Sequence, residues 1–384
     1  MKFQLALLKA LIAAAVFVHA VPISRDELVE NSAKGLRLLQ LSEDGLPVWK
    51  TEDEVLQLLR SGARFFDVTE TYEIQQELDK TSAESKNAGE FSTAATFSPP
   101  SHQSQVTPLL SRLSISNMQS YLSSLSGFNN RYYRSQSGAD ASAWLLDTVQ
   151  DITRGRSDIT ASAFTHGWPQ SSTIVKIAGS SSSGPVTILG AHMDSINLSN
   201  PMNGRAPGSD DDGTGTVNLI ETLRVLVSSG FRPSTPLEFH WYSGEEGGLL
   251  GSNAIATSYK RAGTQVKAFL QLDMTGYVKP GTPEVVAIMP DFIDQGLNNF
   301  LKQLVTTYSR LPVVVNVPCG YACSDHASWF RQGYPTALPF EGIFGEDDPF
   351  IHSSGDTTSV NGFSWSHSLE FAKIAVAFAY ELTA

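Results

Sequence analysis

The sequence predicts an α/β fold with a mostly parallel central sheet covered by helices on both faces, preceded by a small helical N-terminal unit. Two patterns in the 384-residue chain carry that expectation. From about residue 106 onward, strand-like runs alternate with helix-like ones, the order that generates parallel crossovers. Several of the strand-like runs are apolar along their whole length, as strands covered on both faces are.

The elements follow in chain order. Residues 1–20, MKFQLALLKALIAAAVFVHA, join a region bearing Lys2 and Lys9 to an apolar run that ends on small residues before Val21. This is the pattern of a secretory signal peptide, too short for a stable membrane span. A buried N-terminal helix is the alternative, but such helices usually carry caps and a polar face. Residues 21–85 form a small acidic unit: positions 25–84 hold 14 of the 39 acidic residues against 7 basic ones. DELVENSAKGLRLLQL and EDEVLQLLRSGARFF within it have helical apolar spacing. The Ser-, Ala- and Thr-rich stretch over 81–105 reads as a linker. A signal peptide, an acidic helical unit and a linker together read as a propeptide that is later cut away; a permanent small domain has the same signature. The main domain is then 106–384, long enough for one large core.

Within it, helical spacing marks 107–124 and 140–153. Strand-like runs are SSTIVKIAG (171–179), PVTILGAHMD (185–194), LEFHWYS (237–243), VKAFLQLDM (266–274), PEVVAIM (283–289) and PVVVNV (312–317). Helix-like runs lie between and after them at 214–230, 252–263, 294–310 and 368–383. No internal repeat is evident.

The formal net charge of −12 comes with no basic patch or aromatic-plus-arginine stripe, which excludes nucleic acid as a partner. No later stretch approaches the roughly 18–20 apolar residues of a membrane helix. A soluble, secreted, extracellular chain is therefore expected, with no membrane association once the signal is removed. In that oxidising setting the two cysteines, Cys319 and Cys323, lie four apart in PCGYACSD. A local disulfide is expected; a zinc-binding pair competes, but there is no further cysteine to complete a thiolate site. Asn197-Leu198-Ser199 is a sequon, a short pattern common by chance.

Five residues spread over 192–352 read as one metal site: His192, Asp211, Glu246, Asp273 and His352. They lie in AHMDS, GSDDDGTG, WYSGEEGG, LQLDMTGY and FIHSSGD. Two imidazoles and three carboxylates exceed one tetrahedral zinc and suit two divalent ions that share a bridging carboxylate. His192 closes one strand-like run, Glu245 and Glu246 follow another, and Asp273 closes a third. Open α/β sheets place their ligands beyond such carboxyl ends. Each segment also has a plain reading. A lone histidine after a strand is usually structural, DDDG can cap a helix, and a Glu pair is usually solvated. Consecutive aspartates do not match an alternating calcium loop. An acid that closes AFLQL is the hardest to explain without a partner or a metal.

The order HxD, APGSDDDGTG, EE, QLDMTGY, CGYACSDHASW and IHSSGDT resembles the secreted zinc aminopeptidases of the M28 metallopeptidase family. Within that family it is most similar to the leucine aminopeptidases of filamentous fungi and their bacterial di-zinc relatives. The likeness runs from about residue 106 to the C-terminus, and the acidic leader resembles the family's propeptide, which would act as inhibitor or chaperone of its own chain. The resemblance implies that His352 and Glu246 hold one zinc ion, His192 and Asp273 the other, and that Asp211 bridges them. It assigns Glu245 as general base and acid for an activated water. Asp194, two after His192, fits a carboxylate that orients the imidazole, and can also be a simple loop cap. Phe340, Phe344 and Ile351 match the pocket for the first side chain, and can equally be core residues. Tyr321 and Ser324, around the Cys319–Cys323 turn, are candidates for orienting the donors or stabilising an oxyanion.

The expected activity is zinc-dependent removal of N-terminal residues, large apolar ones such as leucine first, from peptides or proteins by a monomeric enzyme. The alternatives are another M28-type hydrolase or cyclase, such as a carboxypeptidase or glutaminyl cyclase, and a metal-free binding domain on the same fold. A serine hydrolase is disfavoured because no G-x-S-x-G elbow occurs. The GEDDPF loop (345–350) departs from the family pattern, a place where substrate preference can differ.

Overall fold

A computed structural model describes residues 23–42, 45–63, 65–86, 95–181 and 184–384. The expected signal peptide lies outside the described residues, as does 87–94 of the stretch read as a linker. The remainder of that stretch begins inside one helix and ends inside another.

The leader is not purely helical. Helices α1 (Arg25–Ala33), α2 (Glu52–Arg60) and α3 (Tyr72–Lys86) alternate with strands β1 (Arg37–Gln40), β2 (Val48–Lys50) and β3 (Phe66–Asp67). The strands form an antiparallel sheet in the order β2-β1-β3. At two to four residues each they are too short to show an alternating pattern, so sequence periodicity registers only the helices. Helix α2 is set by a capping box: Thr51 accepts the Glu54 amide while the Glu54 side chain accepts the Thr51 amide.

After the leader come α4 (Gln103–Leu110), α5 (Ile115–Leu125) and α6 (Gln136–Thr153). The single helix expected over 107–124 is thus two. Ser114 ends the first run and caps the second by accepting the Asn117 amide, a local side-chain bond that competes with helix continuation.

The central sheet has six strands among the described residues: β4 (Ile159–Phe164), β5 (Ser172–Ile177), β6 (Val186–His192), β7 (Leu237–Tyr242), β8 (Val266–Gln271) and, after further elements, β11 (Thr336–Ala337). Their order is β11-β8-β6-β7-β5-β4. The first three ladders are parallel and the two at the β4 edge antiparallel. Strand β4 (ITASAF), half exposed and interrupted by Thr160 and Ser162, carries no continuous apolar run, and no strand is expected there from the sequence. The runs at 283–289 and 312–317 do contain strands, β9 (Val286–Ile288) and β10 (Val313–Val315), but these join β12 (Pro339–Phe340) in a separate small sheet.

Helices α7 (Gly213–Ser228), α9 (Gln295–Tyr308) and α11 (Trp365–Thr383) pack on one face of the central sheet. Helices α8 (Leu250–Arg261) and α10 (His326–Arg331) pack on the other. All seven residues of β6 are buried, which is why its run is apolar without alternation. No helix among the described residues is long and apolar enough to cross a membrane.

Candidate metal centre and adjoining pocket

Parallel pairing of β8, β6 and β7 brings three strand ends to one edge of the sheet. His192 is the last residue of β6, the Glu245–Glu246 turn follows β7, and Asp273 follows β8. Gly244 makes the turn after β7 with φ of 72°, a conformation that disfavours side chains with a Cβ. Asp211 arrives from the loop before α7, whose N-cap is Asp212. His352 comes from the loop between β12 and α11, with φ of 56°, a left-handed backbone that costs of order 1–3 kcal/mol in a non-glycine residue.

Two groups of three could each hold an ion: His192, Asp211 and Asp273, and Asp211, Glu246 and His352. Asp211 belongs to both. Its Oδ1 lies 3.0 Å from His192 Nε2 and its Oδ2 3.1 Å from His352 Nε2. The other separations are 3.5 Å from His192 Nε2 to Asp273 Oδ1 and 3.1 Å from His352 Nε2 to Glu246 Oε2. Donors arranged tetrahedrally at roughly 2.0–2.1 Å from one ion lie about 3.3 Å apart, so the spacing fits coordination.

The electrostatics point the same way. Burial disfavours a charged imidazole at His192, yet Asp273, Asp194 and Asp211 around it raise its pKa well above the ordinary value. His352 behaves likewise beside Glu246 and Asp211. Burial also pushes the Glu245 carboxyl well up and that of Glu246 up. A cluster this acidic favours positive charge, which a divalent ion supplies.

Supporting groups hold the donors. Asp194, fully buried, lies 3.5 Å from His192 Nδ1. The Ser324 hydroxyl donates to Asp273 Oδ2 at 2.5 Å, which gives Ser324 an orienting contact. Two acids not singled out from sequence tie the loops together. Asp212 accepts the backbone amides of His192, Gly215 and Met274, and Asp356 accepts those of Asp210 and Asp211. Asp356 stood inside the FIHSSGD segment and Asp212 inside GSDDDGTG, but an acid that serves only backbone amides reads in sequence as a cap.

Beside the donors lies a cavity of about 120 Å³ whose lining includes Glu245, Tyr321, Phe340, Phe344, Ile351 and the bridged pair Cys319–Cys323. Met274, Met289 and Leu338, unremarked in the sequence, complete its apolar side, and Asp347 also reaches it. Two leader residues, Leu59 and Phe65, line it as well. The leader is fixed there by Asp67, whose amide donates to Gly248 and whose carbonyl accepts from Asn253. Asn197 is half buried, and its side-chain nitrogen, the atom a glycan would occupy, donates to the Arg205 carbonyl.

Residues 172–379 match peptidase family M28. The chain belongs to that family. This M28 peptidase, a hydrolase of peptide bonds from a metal-dependent family, has curated relatives along nearly its full length. It is 44% identical over 356 residues to leucine aminopeptidase 1 of Phaeosphaeria nodorum, covering 90% of this chain and 88% of that protein. It is 41% identical to leucine aminopeptidase 1 of Sclerotinia sclerotiorum, covering 100% and 99%. Among solved structures, the Legionella pneumophila LapA aminopeptidase superposes with a TM-score of 0.75 at 28% identity, covering 92% of this chain and 95% of that one.

Proposed function

We propose that this M28 peptidase is a secreted aminopeptidase that uses two zinc ions and removes N-terminal residues, preferring leucine and other large apolar side chains. The observation that carries the reading is Asp211, whose two oxygens face His192 and His352 in two separate donor groups. In this reading His192 and Asp273 would hold one zinc, Glu246 and His352 the other, and Asp211, common to both groups, would serve both. The ions, when bound, polarise the scissile carbonyl and lower the pKa of a neighbouring water. Glu245 takes the proton of the attacking water and passes it to the departing amine, a task suited to a carboxyl whose pKa is raised by burial. Asp194 keeps Glu245 and Glu246 in place through their amides.

The cavity supports release of one residue at a time. At about 120 Å³ it resembles in size the roughly 150 Å³ cavity that accepts benzene, so it takes a single isobutyl or aromatic group. The names of the fungal relatives support leucine as the preferred residue.

Residues 1–20 direct secretion, and the Cys319–Cys323 bridge fits an oxidising compartment. Residues 21–85 are a propeptide that helps the 106–384 domain fold and, with Leu59 and Phe65 at the cavity, blocks it until cut. The mature enzyme acts as a monomer, and Asn197 carries a glycan once its bond to Arg205 opens.

Metal analysis of the purified secreted protein, together with kcat/KM on leucyl and N-acetyl-leucyl substrates, tests the proposal. About two zinc ions per chain and cleavage of the free amine alone are expected. Equal cleavage of both substrates, or under one zinc with no hydrolysis on zinc addition, overturns it.

A further inference from the structure

The cavity beside the candidate metal centre is not uniformly apolar. Met289, Leu338, Phe340, Phe344 and Ile351 form its greasy wall, and the half-buried Asp347 lines it with them. Among the described residues, no lysine or arginine lines the cavity. The neighbouring loop cation, Lys279, is taken by Glu346 at 3.0 Å, and Asp347 has no salt bridge among the described residues. One Asp347 oxygen accepts the Gly345 amide at 2.7 Å. That bond holds the carboxylate in place and leaves its second oxygen able to accept from a ligand.

Two divalent ions would balance most of the charge on Asp211, Glu245, Glu246 and Asp273, but not that on Asp347. A first residue therefore meets an apolar cavity with one acid in its wall that no described cation pairs. Lysine and arginine suit both parts, since their methylene stems lie along apolar surface while their heads seek a carboxylate. Aspartate and glutamate suit neither.

We infer that Asp347 is a specificity-determining residue that admits lysine and arginine, alongside leucine, as first residues and turns acidic ones away. The inference deepens the aminopeptidase reading and rests on it. The plain alternative is that Asp347 only caps its own loop through Gly345.

Asp347→Asn separates the two, because the amide oxygen can still accept from Gly345 while the charge is gone. kcat/KM is measured for lysyl, leucyl and glutamyl substrates on the zinc-loaded secreted enzyme, as wild type, Asp347→Asn and Asp347→Ala. The lysyl-to-leucyl ratio should fall about five- to tenfold in both variants, the scale of one partly screened charge pair. The glutamyl-to-leucyl ratio should rise, and added salt should shrink the lysyl ratio of the wild type alone. Ratios, unlike rates, are insensitive to the fraction of folded enzyme. Ratios within twofold of wild type in Asp347→Asn, with leucyl substrate cleaved, overturn the role of Asp347 alone. A wild type that cleaves no free-amine substrate overturns the aminopeptidase reading and this inference with it.

Discussion

Asp194 holds Glu245 by its backbone: Asp194 Oδ1 accepts the Glu245 amide at 3.0 Å. The other oxygen accepts the Glu246 amide at 3.2 Å, and Oδ1 also lies 3.5 Å from His192 Nδ1. One buried carboxylate therefore registers the turn after β7 against the end of β6, and with it the spacing between Glu245 and the candidate donors His192 and Glu246.

Asp194→Asn tests that arrangement. The amide NH2 would face a backbone N–H, so one of the two bonds is lost and the turn shifts. A fall in kcat/KM of about 10–100-fold is expected, the usual effect of losing a group that orients metal ligands. A kcat equal to wild type would show that the turn needs no such anchor.

Glu245 and Asp211 should fail in different ways. Glu245→Ala should keep its metal content and lose about 10²–10⁴ in kcat, the contribution of a positioned acid–base group. Asp211→Ala should lose metal as well, since both donor groups contain Asp211. Metal analysis beside steady-state kinetics checks both, and full turnover in Glu245→Ala would remove it from the mechanism.

Much of this was legible in the sequence. The buried strands β6, β7 and β8 declare themselves as apolar runs, and His192 and Asp273 stand out because they close such runs on a polar, ligand-type residue. The five candidate donors stand out because each sits in its own recognisable segment. What was not legible depends on contacts distant in sequence. Nothing near Leu59 or Phe65 marks them as cavity residues, because that contact is made only when the leader docks across more than a hundred residues of chain. Asp212 and Asp356 look like caps, and Asp347 looks like loop surface until β12 and the following loop are placed beside β9. Strand β4 escaped because an exposed edge strand needs no apolar pattern.

Stability should fall on acidification through His326. This residue is fully buried against Phe292, and burial lowers its pKa from 6.5 to about 4. The unfolded chain therefore takes up a proton between those values that the folded chain refuses. The contribution is fully present above pH 6.5 and is lost as pH falls toward 4, about 3 kcal/mol over that span. Denaturant midpoints across this range should drop less in His326→Gln than in wild type. Parallel curves would show that His326 does not titrate on unfolding.

The leader should restrain the uncut protein. A Cβ at Gly248 would come within 2.7 Å of the Phe65 ring, so Phe65 sits directly on the turn that carries Glu245 and Glu246. In the full-length chain, Leu59→Ala with Phe65→Ala should raise activity on a leucyl substrate severalfold, while proteolytic removal of the leader should raise it further. Equal activity before and after removal would mean that the leader does not obstruct the cavity.

The five donors come from five chain segments separated by 19 to 79 residues. An ion seated among them would therefore clasp loops that the chain otherwise leaves to close by themselves, adding stability through topology as well as through bonds. Such a clasp cannot guide early folding, because its ligands meet only after the sheet is assembled. It can only lock the finished fold. Ions bound there would then also guard the backbone of this peptidase against local opening, the state in which a chain is most open to cleavage.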